Sequence, residues 1–558
     1  MGKRKHKISP RHDITRFFPR STARNNDSDR DVNKVYQAMA KFVCEAEKVS
    51  FSAVGSLIME TDPSFPFCYH ELEHSCLKFY QKEKAKVMQT LENLDGLIAL
   101  SMDIFRKVTS NSHCPEMPEE TIADSLCLRA HFIDDNWEPK SWVLYYADTD
   151  HICEHGTYNT IAKCLLDLRI ENKISTITPG DRENYSDEIE AIKDHLKEKK
   201  KLQIKCQPFQ IYCCADLLGE LVEAAFAKIG DVFKKIWTKT FPYWIIRFSK
   251  LQEAIMAEAE GEFSKQIGQI FFYLPTEDEW AKLKYICRLV EYMYDSAEVL
   301  FMTKNPTASL YLHNLRELQA RLIRKESTSP DRLSIATYLL KKFDKYWDDM
   351  LLVLAIATVM DPRCKMKYIE FSSMKYEDKS GNSQVKAVLE ATQGIYDDYK
   401  MHSIEAQNSL NPSGSSPSAS VSSNSDSEEL FSNLEELPGH THESLHNCNF
   451  GFNCLDEYNE FLKPSKQTPL SDLELYLDEP VLPWNKDFDL MSWWRTESPK
   501  YPVLSKMARD LLAIPFSVAS SNEAYRYEDF RRADRGLEFL GPVLVNALVC
   551  TRSYLQKP

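Results

Sequence analysis

Asp103 and Asp181 each follow a short apolar stretch, residues 97–102 and 173–178, whose pattern reads as a buried strand. If those strands neighbour one another in a parallel pair, both carboxylates come to one point at the edge of a sheet. Paired acids there could hold two divalent ions ~4 Å apart for phosphodiester cleavage, since the ions compensate the charge that a dry cavity would otherwise forbid. The chemistry would require Mg²⁺ or Mn²⁺, with Asp103 and Asp181 as candidate metal ligands. A plainer reading stays open, because aspartates also cap helices and fill turns.

The elements that must position these acids follow from the periodicity. Val35, Met39, Phe42 and Val43, then Leu77, Phe79 and Met88, beat at helical spacing through residues 31–94. A strand over 97–102 ends at Asp103, and strands over 126–133 and 142–146 flank the turn Asp134-Asp135-Asn136. A helix over 158–168, a strand over 173–178, the break Pro179-Gly180-Asp181, a charged helix over 186–200, a brief strand over 211–213 and a helix over 215–229 follow. Three strands, then alternating helix and strand, make an α/β mixed sheet flanked by helices.

Residues 233–401 show only long helical patterns, carrying Trp280, Leu310, Phe343 and Trp347, and read as an inserted helical domain. Residues 408–436 are rich in Ser, Asn and acids and cannot bury enough apolar surface to offset chain entropy, which marks a linker. The organisation expected is a basic head (1–30), a helical region (31–95), the sheet core (96–232), the insertion (233–405), the linker (406–465) and an amphipathic C-terminal region (466–558).

Several separated blocks resemble plant hAT transposase-like proteins. Leu100-Ser101-Met102-Asp103 and Cys127-Leu128-Arg129-Ala130-His131-Phe132-Ile133-Asp134 with Trp137 are similar to the first half of the family's ribonuclease-H-like domain. Phe343-Asp344-Lys345-Tyr346-Trp347 and Met360-Asp361-Pro362-Arg363-Cys364-Lys365 resemble its later part. The runs Leu473–Pro480, Trp493-Trp494, Lys500-Tyr501-Pro502-Val503-Leu504 and Met507-Ala508-Arg509-Asp510 resemble the hAT C-terminal dimerisation region. The resemblance implies a ribonuclease-H-like mixed sheet interrupted by a large helical insertion. It also implies a C-terminal helical region that completes the core and pairs subunits, and a catalytic trio of Asp, Asp and Glu.

Carried over residue by residue, the trio is Asp103, Asp181 and Glu523, with the third member out of place. The family's Val-Ala-Ser-Glu-x-x-Phe-Ser corresponds to Val518-Ala519-Ser520-Ser521-Asn522-Glu523-Ala524-Tyr525, and anchoring on Ala524-Tyr525 sets Asn522 at the Glu position. Glu523 is one residue off, a rotation of about 100° if the segment is helical. Asparagine ligates a metal weakly and brings no anionic charge. One extra residue precedes Asp181 relative to the family pattern, and the family's Cys-x-x-His reads Cys213-Cys214-Ala215-Asp216. The family's DNA-handling Trp motif survives as Pro242-Tyr243-Trp244, where Trp244 is otherwise a core aromatic. No Cys-x-x-Cys with paired His, the BED-type zinc finger of most relatives, occurs, and no structural zinc is expected; Cys448, Cys454 and the nearby histidines lack zinc-site spacing.

Composition bounds the partners. A net charge of -14 excludes indiscriminate coating of nucleic acid, so DNA contact must be local. The first thirty residues hold nine Lys or Arg against three Asp, starting with Lys3, Arg4, Lys5 and Lys7, and suit a nuclear address or a phosphate-binding arm. Fifteen scattered cysteines and no long apolar run point to reduced thiols in nucleus or cytosol, with neither a membrane nor a small-molecule partner. Leu475, Leu477, Trp493, Trp494, Tyr501, Leu504, Met507 and Leu511 are candidate dimerisation residues, for a homodimer whose interface resembles a divided core. The expectation is a transposase-derived, non-cutting protein. The alternatives are an active transposase using the three acids, and an interaction scaffold that never meets DNA.

Overall fold

Residues 28–45, 51–110, 120–148, 156–180, 186–199, 210–228, 276–302, 307–323, 330–376, 381–410, 471–485, 487–518 and 540–555 are described in the computed structural model. Among the described residues the helices α1 (Ser28–Glu45), α2 (Phe51–Thr61) and α3 (Tyr69–Asn93) come first. Tyr36, Met39, Ala40 and Val43 recur at i, i+3, i+4 and i+7, and the stripe they make packs on Leu72 and Cys76 of α3.

The sheet follows, built from β1 (Ile98–Ser110), β2 (Glu120–Ile133), β3 (Pro139–Asp148) and β4 (Ile174–Pro179), with α4 (Thr157–Asp167) before β4. Its order is β3-β2-β1-β4. β1 runs antiparallel to β2 and parallel to β4, so the sheet is mixed as the alternation of elements requires. Beyond β4 lie α5 (Ser186–Lys199) and α6 (Cys214–Ala227), and between them Gln210 bridges to Ile177 in parallel at the sheet's edge.

Strand bounds differ from the sequence expectation: β2 begins at Glu120 rather than 126, β3 spans Pro139–Asp148 rather than 142–146, the brief strand expected over 211–213 is reduced to the single bridge at Gln210, and β1 differs most. β1 does not end at Asp103 but continues to Ser110 as a long hairpin ladder with β2, from Asp103↔Cys127 to Ser110↔Glu120. The extension carries Arg106, Lys107 and Thr109, which hide the apolar signature of a buried strand. Asp103 instead marks where the parallel partner stops, since β1 pairs with β4 only as far as Met102↔Pro179.

Alternation assigns each side of β1. Ile98, Leu100 and Met102 join Leu128, Ala130 and Phe132 of β2 under Val87 and Leu91 of α3, Ile161 and Leu165 of α4, and Ile189 and Ile192 of α5. Ala99 belongs to the opposite side, against α6 and the helices α7 (Glu277–Met302), α8 (Ala308–Ile323), α9 (Pro330–Val359), α10 (Lys365–Tyr376) and α11 (Gly381–Leu410). The β2–β3 turn adds a wedge to that side. Asp134 Oδ1 accepts from the backbone of Asn136 and Glu138, both at 2.9 Å, while Trp137 sits at φ 60°. Burial offsets that left-handed backbone: Trp137 is 3% exposed and stacks on Trp494, with ring centroids 5.7 Å apart.

Among the described residues the C-terminal region holds the α-helices α12 (Asp472–Asp478), α13 (Leu490–Glu497), α14 (Leu504–Leu512) and α15 (Pro542–Leu555). The turn between α9 and α10 joins this region to the helical one. Arg363 and Asp361 form a buried ion pair at 2.6 Å, and the guanidinium lies 4.2 Å over the Trp484 ring. The Lys365 ammonium donates to the carbonyls of Tyr476 and Glu479, closing the C-terminal end of α12. Trp494 Nε1 donates to Met360 O at 2.9 Å. At the sheet's other edge α15 caps β3: Val143 N donates to Ser553 Oγ at 2.8 Å and Tyr146 N to Asn546 Oδ1 at 2.9 Å. Those bonds occupy amides that an edge strand would otherwise leave open. Among the described residues no helix is long and apolar enough to cross a membrane.

Candidate active site

The half-buried carboxylate of Asp103 stands at the place where β1 loses its parallel neighbour. Gly180 N donates to Met102 O at 2.6 Å and draws the chain leaving β4 against it. A Cβ on Gly180 would lie 3.2 Å from Asp103 Oδ1 and 3.3 Å from Val518 Cγ2. The residue after Gly180 is Asp181, which lies outside the described residues.

The third wall is a strap, residues 515–518, laid between β4 and the N-terminus of α6. Thr178 Oγ1 donates to Pro515 O at 2.8 Å, Cys214 N to Phe516 O at 2.8 Å, and Val518 N to Cys213 Sγ at 3.4 Å. The strap thus delivers the end of the described segment 487–518 to the mouth that holds Asp103. Asn522 and Glu523, four and five residues further on, lie outside the described residues, as do Trp244 and the basic residues Lys3, Arg4, Lys5 and Lys7.

The electrostatics of the walls are set by burial. Burial pushes the Cys213 thiol up, and the nearby charges of Asp216 and Asp103 push in the same direction, so it stays a neutral thiol. Burial, with the Arg129 guanidinium adding to it, pushes His131 down to about 3. Its neutral imidazole shares a hydrogen bond of 2.8 Å with Ser101 Oγ. Among the described residues no three His, Cys, Asp or Glu side chains converge in a way that could hold an ion. The described part of the mouth therefore does not by itself fit a metal centre. Ser101, Arg129 and His131 around Asp103 were not singled out from the sequence as site residues, because only the β1–β2 register brings them together.

The candidate dimerisation residues divide into two groups. Trp494, Tyr501, Leu504, Met507 and Leu511 are at most 1% exposed and sit in the same core as Leu354, Phe343 and Trp347 of α9. Leu475, Leu477 and Trp493 are only partly covered by that core.

Comparison with known proteins places this architecture. Residues 472–555 match the hAT family C-terminal dimerisation region. Residues 309–399 match the hAT-like transposase, RNase-H fold, and residues 120–208 the ZBED1 RNase-like domain. The chain is similar to hAT transposase-like proteins over most of its length. It is 28% identical to Zinc finger BED domain-containing protein RICESLEEPER 1 of Oryza sativa subsp. japonica, over 87% of this chain and 68% of that one. With Zinc finger BED domain-containing protein DAYSLEEPER of Arabidopsis thaliana it shares 26% identity over 90% and 70%. With a Putative AC transposase of Zea mays it shares 22% over 86% and 59%. In this hAT-like chain the β1–β4 pair and the strap at residues 515–518 therefore build the ribonuclease-H-like mouth, and the segment matching the dimerisation region furnishes one of its walls.

Proposed function

We propose that this hAT-like chain is a transposase-derived nuclear protein that does not cut DNA, pairs with a second copy of itself, and meets DNA through local positive charge. The observation that supports it concerns the third acid. Val518 lies at the Asp103 mouth, and the segment that continues from it carries Asn522 where the glutamate belongs once the family pattern is anchored on Ala524-Tyr525. Without that charge two divalent ions lack a ligand that catalysis requires. The decisive experiment incubates the full chain with supercoiled and linear DNA in Mg²⁺ or Mn²⁺. No nicking is expected, and divalent-dependent cleavage that disappears in Asp103→Ala would establish the active-transposase alternative instead.

Pairing is assigned to the partly covered face of the C-terminal region, Leu475, Leu477 and Trp493, because Trp494, Tyr501, Leu504, Met507 and Leu511 already spend their apolar surface inside the chain. Sedimentation analysis should return a dimer. DNA contact is assigned to the basic head, with Trp244 as a second contact. Affinity should fall steeply with salt and be lost when residues 1–30 are removed; binding indifferent to salt and to that deletion would argue for an interaction scaffold.

A further inference from the structure

Side chains directly opposite one another on β1 and β2 share a face, so Ser101 faces Arg129 and Asp103 faces Cys127. Ser101 does not hydrogen-bond across that direct pair. It reaches along the diagonal to His131, the partner of Ala99, at 2.8 Å. One pleat further along both strands, the same diagonal leads from Asp103 to Arg129. Diagonal neighbours stand ~7 Å apart at their backbones, a gap that the long arginine stem spans readily. The charge of Arg129 is directed into this face, since it acts on His131 two residues along β2.

We propose that Arg129 is the standing counter-ion of Asp103, supplying from within the sheet the positive charge that a ribonuclease-H-like carboxylate otherwise takes from a divalent ion. The inference deepens the non-cutting reading and rests on it for the absence of a catalytic ion. A half-buried carboxylate needs a compensating charge, and a guanidinium, which stays protonated at any ordinary pH, provides one without recruiting anything from solution. A divalent cation approaching Asp103 would meet both a weakened field and a fixed positive charge a few ångströms away. The β1–β2 ladder, in the middle of the sheet, holds both partners, so neither swings aside as loop residues could.

The test follows Mn²⁺ uptake by the full chain through loss of the free-ion electron paramagnetic resonance signal. It compares the wild type with Arg129→Thr, Arg129→Lys, Asp103→Asn and the Arg129→Thr/Asp103→Asn double variant, each checked for folding by thermal melting. Wild type and Arg129→Lys should take up no more ions than Asp103→Asn. Arg129→Thr should bind one more ion, at least about tenfold tighter than any site in the wild type, and lose it in the double variant. Mn²⁺ should raise the melting temperature of Arg129→Thr alone. If Arg129→Thr does not fold, Arg129→Gln, which keeps length and polarity without charge, carries the same comparison. A folded Arg129→Thr or Arg129→Gln with no added ion, or wild-type uptake that falls on Asp103→Asn, would overturn the counter-ion. DNA nicking by the wild type would instead overturn the non-cutting reading, which keeps the two failures distinct.

Discussion

A Cβ added to Gly180 would come 3.2 Å from the carboxylate of Asp103 and 3.3 Å from Val518 Cγ2, so the chain leaving β4 lies close against Asp103 and a side chain there would have to displace its neighbours by a few tenths of an ångström. Gly180→Ala should cost ~1–3 kcal/mol by overpacking Asp103 and Val518. Gly219 within α6 meets nothing within 4 Å, and Gly219→Ala should be neutral or stabilising by up to ~1 kcal/mol. Urea unfolding of the two variants side by side checks the contrast; equal effects would mean that the close approach at Gly180 is not real.

Asp510 is a buried carboxyl that accepts from Leu97 N at 2.8 Å and from the Tyr399 hydroxyl at 2.6 Å, and so ties α14 to the start of β1 and to α11. Burial raises its pKa from 3.8 to about 6. With the folded value above the unfolded one, its contribution is fully present below about pH 3.8 and is lost as pH rises through about 6. The wild type minus Asp510→Asn stability difference should therefore decline by up to ~3 kcal/mol across that window. A difference profile that is flat from pH 4 to 7 would contradict the assignment.

The Asp361–Arg363 pair is buried on both sides. Arg363→Met leaves Asp361 without its counter-charge, and ~3–5 kcal/mol of stability should go with it. Replacing both residues with apolar ones should cost less than the single change. Thermal melts of the single and double variants decide the matter.

Trp493 and Trp494 are adjacent in sequence but differ in burial, Trp494 being 0% exposed and Trp493 only partly covered. Trp494→Ala should lose ~3–5 kcal/mol, since it also removes the stack on Trp137. Trp493→Ala, which loses ring contacts with Tyr476, Trp494 and Tyr501 but keeps the Trp137 stack, should cost less than Trp494→Ala while shifting the monomer–dimer equilibrium toward monomer. Sedimentation velocity at several protein concentrations reads the second effect.

Much of the architecture was legible in the order of residues. The runs at 97–102, 126–133 and 173–178 announced strands, the i, i+3, i+4 beat announced helices, and the Asp103 and C-terminal motifs announced the hAT-like relationship. These signals are local: one face of each element must be apolar, and periodicity records which. The length of β1 past Asp103 was not legible, because its polar residues carry no burial pattern and only the partner strand reveals the pairing.

What the sequence determined by itself is therefore the resemblance to hAT transposase-like proteins and the identity of residue 522, an asparagine, since neither needs coordinates. Only the tertiary structure decided that Gly180 and Val518 close on Asp103, that Ser101, Arg129 and His131 share its face, and that most of the apolar C-terminal side chains are spent within the chain. Those facts depend on strand register and on packing between segments hundreds of residues apart. Apolar residues carry the same pattern whether they bury against their own chain or another, so periodicity alone cannot distinguish the two.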